Sequence, residues 1–226
     1  MRITAATFTV AFALATAGAQ ASTYTLVAPT SGTIASDFGS NADADISNRS
    51  GLGSFGDVAG TDGINGWGTG YADMASAFWG RSGSNAEFRI EATDPAKSIR
   101  LDSFLAGSYL TRGFARTYIV YDLAWTELWS TVDFIAPTQT NAAALLAPDV
   151  SAVGGVILQW GESFNGGINE ITFTVGDFDG DPVLIGGGEG SGEGGVRPGV
   201  IPLPASLPLL LAGLAGFGLV ARRRAA

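Results

Sequence analysis

The chain has 226 residues, no cysteine and no histidine, 33 glycines, and 21 acidic against 12 basic side chains, a net charge of −9. Without Cys or His there is no disulfide framework, no thiol catalysis, no Cys/His zinc site and no Ser–His pair. The negative surface repels phosphate backbones and argues against a nucleic-acid partner.

In chain order, the first segment reads MRITAATFTVAFALATAGAQAS. Arg2 supplies a short basic start, residues 3–17 are apolar, and Ala19-Gln20-Ala21 is a small-x-small cleavage site. This is the pattern of an export signal over residues 1–21, with Ser22 the first mature residue. Residues 22–185 are expected to form one domain, of a size that supports a single core. Within it, residues 31–70 are crowded with Gly, Ser, Asn and Asp. That composition reads as a functional loop or as two short edge strands with weak patterning.

From residue 85 onward, strand patterns dominate. Residues 85–91 alternate, with Phe88 and Ile90 on one face and charges on the other. Residues 98–102 and 115–121 repeat the alternation, and residues 125–132 are aromatic and Thr-rich. Residues 142–146, Ala-Ala-Ala-Leu-Leu, suggest one helical turn. Residues 155–160 (GVILQW) read as a buried strand, and 168–175 alternate through Ile171, Phe173 and Val175. Strands at this spacing, separated by Gly, Asn, Asp and Pro, predict an all-β fold: an antiparallel β-sandwich or jelly roll. The run Gly155–Trp160 followed by Asn165-Gly-Gly-Ile-Asn-Glu-Ile-Thr-Phe-Thr174 resembles the last two strands of galactose-binding-like modules. Asn169 and Glu170 stand where those modules have Asp-Asn. The resemblance implies a jelly roll and suggests glycan binding, but it carries over no ligand residue.

The tail has three parts. Residues 186–200 are a Gly-rich linker, with a random-coil span of about 20 Å. Ile201-Pro202-Leu203-Pro204-Ala205 is a proline-bounded pentad whose pre-proline residues are pushed toward extended backbone. Residues 206–221 are apolar, and Arg222, Arg223 and Arg224 close them. A helix over 207–221 would rise about 22 Å, against about 30 Å of hydrocarbon core, so a single C-terminal transmembrane helix is expected to insert marginally. The arginines hold its end on the cytoplasmic side. This pentad, helix and basic cluster resemble the PEP-CTERM class of bacterial sorting tails, in its VPLPA-type variant, with Ile201 in place of Val. The resemblance implies an exosortase-type membrane enzyme as partner, cleavage near the pentad, and delivery to the cell surface or extracellular matrix. Removal of both ends would leave eight basic and 21 acidic residues, a net charge of −13.

Three constellations bear on activity. Asp177, Asp179 and Asp181, at alternate positions with Gly180 among them, have the composition of a Ca²⁺ loop but lack its distal Glu. A polar exit from the last strand into the linker is the favoured reading of them, and no cofactor is otherwise expected. Asn41 to Asp45, with Asp43 and Asp45, is a second and weaker acidic stretch. Tryptophans offer planar apolar faces to the C–H face of a sugar. Trp67 and Trp79 lie beside Gly-rich turns, and Trp125 and Trp129 are expected on one strand face. Trp67, between two glycines, is the first candidate, with Trp125 and Trp129 after it. Glu127, Asp133, Glu162 and Glu170 are the carboxylates from which a glycoside hydrolase would need a facing pair. Nothing in the sequence brings two of them together. The reading is therefore a non-enzymatic, exported surface or matrix protein, structural or with carbohydrate affinity. A dedicated glycan-binding module and a carboxylate hydrolase stand as alternatives.

Overall fold

The computed structural model describes residues 21–80, 85–109, 111, 114–161 and 164–178. The export signal apart from Ala21, the linker, the IPLPA pentad, the apolar segment and the arginine cluster lie outside the described residues. So do Glu162, Asp179 and Asp181.

The described chain is all-β and antiparallel. Its strands are β1 (Ser22–Leu26), β2 (Ser31–Thr33), β3 (Ala44–Leu52), β4 (Ile64–Trp67), β5 (Ala77–Gly80), β6 (Asn85–Ala92) and β7 (Ser98–Ser108). They continue with β8 (Ala115–Asp122), β9 (Glu127–Ile135), β10 (Ala144–Leu146), β11 (Val150–Val153), β12 (Gly155–Trp160) and β13 (Gly166–Gly176). Among the described residues no helix is long and apolar enough to cross a membrane.

Two sheets enclose one core. The smaller runs β3-β6-β12-β8-β9. The larger runs β10-β7-β13-β5-β4-β2, with β1 also on β13 and β11 also on β7. The long pair β7–β13 is thus flanked by different short strands along its two halves. The halves meet at a register shift between Asn169 and Thr172, where Glu170 is exposed and takes a φ of 48°. Asn169, the residue before, is buried; its Oδ1 accepts the Ala28 N–H at 2.8 Å and its amide donates to Ser76 Oγ at 3.3 Å. The irregularity is therefore tied to the chain leaving β1.

The alternating patterns place the core as expected. Phe88 and Ile90 of β6, Val156, Leu158 and Trp160 of β12, and Ile171, Phe173 and Val175 of β13 all belong to the main cluster. Phe88 stacks on Trp160 at 6.0 Å and meets Phe78 edge-on at 4.9 Å. Every residue of β12 is buried, because this central strand is covered on both faces. Two expectations are corrected. Residues 142–146 contain no helical turn: Ala144–Leu146 is a strand paired to Phe104–Ala106 of β7. Ala and Leu favour helix locally, but three residues are too few to nucleate one, and sheet pairing overrides the preference. The strand expected from residue 125 begins at Glu127 instead.

Residues 31–70 form β2, β3 and β4 with the connections between them. β2 and β3 are edge strands, one in each sheet, and β4 lies between β2 and β5. The patterning of β2 and β3 is weak because one face of an edge strand and most of a turn meet water, and β4 is only four residues long.

Candidate functional site

Strand alternation gives each sheet an outer face, and each outer face carries a small apolar cluster of its own. On the smaller sheet it comprises Ile119, Tyr121 and Ile157, with Phe55, Leu123 and Trp125 packed on them. On the larger sheet it comprises Tyr71, Met74 and Ala77, with Trp79, Leu105 and Ala143 packed on them.

The β4–β5 connection crosses the second cluster at very short range. A Cβ on Gly107 would stand 2.8 Å from the Ala72 side chain, and one on Gly167 would stand 2.6 Å from the Tyr71 ring. Only glycine at those two positions lets Tyr71 lie flat over β7 and β13. The end of β7 gathers the neighbouring loops. Ser108 O accepts the Ala72 N–H at 3.3 Å, Ser108 N–H donates to Pro137 O at 2.7 Å, and Tyr109 N–H donates to Asn165 O at 2.9 Å. Asp73 Oδ1 accepts the Ala143 N–H at 2.7 Å.

These ties bring five aromatic side chains from separate segments around one pocket of about 110 Å³: Trp67, Tyr71, Trp79, Tyr109 and Phe164. The β4–β5 register, Asn65 opposite Trp79 and Trp67 opposite Ala77, puts both tryptophans on the same face. Trp67 meets Trp79 at 6.0 Å and Tyr109 at 6.3 Å, each at 89° between planes. Trp79 meets Phe164 at 5.3 Å and 79°, and Tyr71 meets Tyr109 at 5.3 Å. Trp67 is 44%, Tyr109 38% and Phe164 46% exposed, so three of the five present large apolar surface to water. Exposed aromatics gathered in this way are a mark of a binding surface. A wider cleft of about 510 Å³ opens next to the pocket and shares Tyr109 with it. Thr69, Asp73, Gln139 and Thr140 are among its walls.

Two polar atoms of the aromatic walls are engaged. Trp67 Nε1–H donates to Thr69 O at 3.1 Å and the Tyr71 hydroxyl to Phe164 O at 2.6 Å. Trp79 Nε1 is buried and has no hydrogen-bond partner among the described residues. Burial pushes the Tyr71 phenol well above its usual pKa, and the neighbouring Tyr109 adds to the shift, so Tyr71 stays neutral.

The other candidates lie elsewhere. Trp125 is in the turn between β8 and β9 with a φ of 67°, and its ring packs on Tyr121 at 5.5 Å, outside the smaller sheet. Trp129 faces inward and meets Phe104 at 6.4 Å. The two do not share a face, because Trp125 precedes the strand. Asp177 receives Lys97 Nζ at 2.8 Å on both oxygens. Asp43 accepts a hydrogen bond from the Tyr24 hydroxyl. Among the described residues no three carboxylates gather as a metal site would require. Glu127 and Asp133 lie on β9 and Glu170 on β13, in different sheets; Ser130 Oγ donates to Glu127 at 2.6 Å.

Sequence reasoning found Trp67 and named Trp79, and missed Tyr71, Tyr109 and Phe164 as members of one site. A shared signal was present: Gly70-Tyr71, Ser108-Tyr109 and Phe164-Asn165-Gly166 each set an aromatic ring beside small turn residues. No family model matches the chain, and no curated protein matches it significantly.

Proposed function

We propose that this is an exported carbohydrate-binding protein of the cell surface or extracellular matrix, non-enzymatic, whose glycan site is the aromatic pocket on the larger sheet. The observation that carries this reading is the convergence of five aromatic side chains on one solvent-open pocket beside a polar cleft. Aromatic rings bury sugar C–H groups, while neighbouring amide, hydroxyl and carboxylate groups satisfy sugar hydroxyls. A jelly-roll arrangement is proposed for the body. Neighbours β6 and β7 fall in opposite sheets and pair with β12 and β13, as when a folded strand pair wraps into two layers. The export signal and the PEP-CTERM-like tail support the envelope setting, with an exosortase-type enzyme acting on residues 201–205. The sandwich would then stay in the matrix while the membrane holds the precursor only until cleavage.

Titration of the full chain with host exopolysaccharide, read by tryptophan emission and calorimetry, tests the binding. Saturable binding that Trp67→Ala weakens is the expected result. Unchanged emission and no heat across a broad glycan panel would leave a purely structural matrix protein. Intact mass of the surface-exposed form tests the sorting, which requires that residues 222–224 be missing.

A further inference from the structure

We propose that the aromatic pocket is a methyl socket: it selects glycans carrying 6-deoxyhexose or N-acetylated residues and takes the methyl group end-on, leaving the sugar ring in the adjoining cleft. This rests on the carbohydrate reading and sharpens it to a ligand class.

Size is the first argument. The pocket holds about 110 Å³. An apolar cavity of about 150 Å³ houses a benzene ring, and a hexopyranose is about twice as large as benzene in heavy atoms. A solvent-open recess of this size does not enclose a whole pyranose, whereas it surrounds a methyl group and the carbon that bears it.

Shape is the second. Trp67 stands at 89° to both Trp79 and Tyr109, and Trp79 at 79° to Phe164. Rings set edge to face build walls. A pyranose lying on its C–H face needs one open, flat ring instead.

Polarity is the third. The Trp67 N–H and the Tyr71 hydroxyl proton are committed to Thr69 O and Phe164 O. The Trp79 N–H is buried within the wall. A sugar hydroxyl pushed against these three would give up its bonds to water for little return, while Tyr109, which also lines the cleft, keeps a hydroxyl for the polar part of the ligand. A methyl group gives up none. Hydroxyls further along the ligand reach the cleft, where Thr69, Gln139, Thr140 and Asp73 are within the walls.

Charge narrows the class. Among the described residues neither lining contains a Lys or Arg, and the one carboxylate is Asp73. The carboxylate of Asp73 in the cleft disfavours an anionic sugar at that wall, and the socket itself takes a neutral methyl group.

The test uses free sugars in pairs that differ at the methyl-bearing group: L-fucose with L-galactose, L-rhamnose with L-mannose, and N-acetylglucosamine with glucose. Each is titrated into the full chain and followed by tryptophan emission. The methyl-bearing member of at least one pair should bind about tenfold tighter or better. The deoxy pairs and the acetyl pair tell the two methyl sources apart. Saturation-transfer NMR on the same mixtures should show stronger transfer to the methyl protons than to the ring protons. Phe164→Ala, at an exposed loop position, should abolish the preference, with circular dichroism to check the fold. Equal affinity within every pair, or stronger transfer to the ring protons, would overturn the methyl socket and leave the glycan reading standing. Failure of every sugar and of the host polysaccharide to bind would remove both.

Discussion

The two outer faces differ in how their apolar clusters are closed. On the smaller sheet a Gly-rich connection, residues 53–63, folds back and brings Phe55 onto the cluster. A buried polar clamp holds it. Gly56 N–H donates to Gln159 Oε1 at 2.8 Å and Gln159 Nε2 donates to Gly56 O at 2.9 Å. The same amide donates to Glu87 Oε2 at 2.7 Å, and Arg49 grips both oxygens of Glu87 at 2.9 and 3.1 Å. On the larger sheet the β4–β5 connection crosses the cluster but stops short of Trp67, Tyr109 and Phe164. One set of rings is buried or half-buried under its loop, and the other leaves three rings open to water. Both faces carry aromatic rings, three in the covered cluster and five around the open pocket; the loop path separates a packing cluster from the proposed binding site.

The comparison breaks most readily at the clamp. Glu87 is 2% exposed, and Glu87→Ala leaves the Gln159 amide and Arg49 short of an acceptor. The expected loss is about 2–3 kcal/mol in urea unfolding, at the low end for a buried pair because Arg49 is partly solvated. Protease cleavage within residues 53–63 should rise, with little change at the pocket. Were stability unchanged, the sealed face would owe nothing to its polar clamp.

The next effect separates the tryptophans. Trp67→Ala should weaken glycan binding by at least about tenfold while reducing stability by less than about 1 kcal/mol. Trp125→Gly should do the reverse. It removes a ring from Tyr121 but relieves a left-handed backbone, a net loss of about 1 kcal/mol, with binding intact. Calorimetry and thermal melts on both variants decide whether the open and sealed faces have the assigned roles.

Tyr71 gives a smaller, pH-dependent signal. Tyr71→Phe removes the bond to Phe164 O and should cost about 1 kcal/mol at neutral pH. The sign of the alkaline effect follows from the raised folded pKa. The unfolded phenol ionises near 10.0, while the buried phenol holds its proton to higher pH. Stabilisation is therefore complete below pH 10 and is lost as pH climbs from there toward the folded value. Tyr118, buried in the core, behaves alike. The free energy of unfolding measured across this range should fall less steeply in Tyr71→Phe than in the parent chain.

The smallest effect lies under the pocket, where Ala72 adopts a φ of 52°. Ala72→Gly removes the steric penalty of that conformation at some cost in chain entropy, and should raise stability by about 0.5 kcal/mol with binding unchanged. A drop in the melting temperature would mean that the methyl contact near Gly107 outweighs the strain.

The cores of β6, β8, β12 and β13 were legible because period-two patterning reports which face is buried. β1 to β5 were not: edge strands and glycine-rich turns carry little hydrophobic contrast, and β4 and β5, interior but four residues long, are too short to show alternation. Trp67 stood out through its glycine neighbours. Tyr109 and Phe164 did not, because their partner rings lie tens of residues away in the chain.

What the sequence alone determined was the class of fold, antiparallel and all-β, since alternation and turn composition are local properties that each segment records for itself. Which aromatic rings are sealed and which stay open was decided only in three dimensions. That choice depends on two glycines, Gly107 and Gly167, admitting one loop at close range, and on Gln159 pinning another. Such contacts join residues far apart in the chain, and short-range patterning carries no record of them.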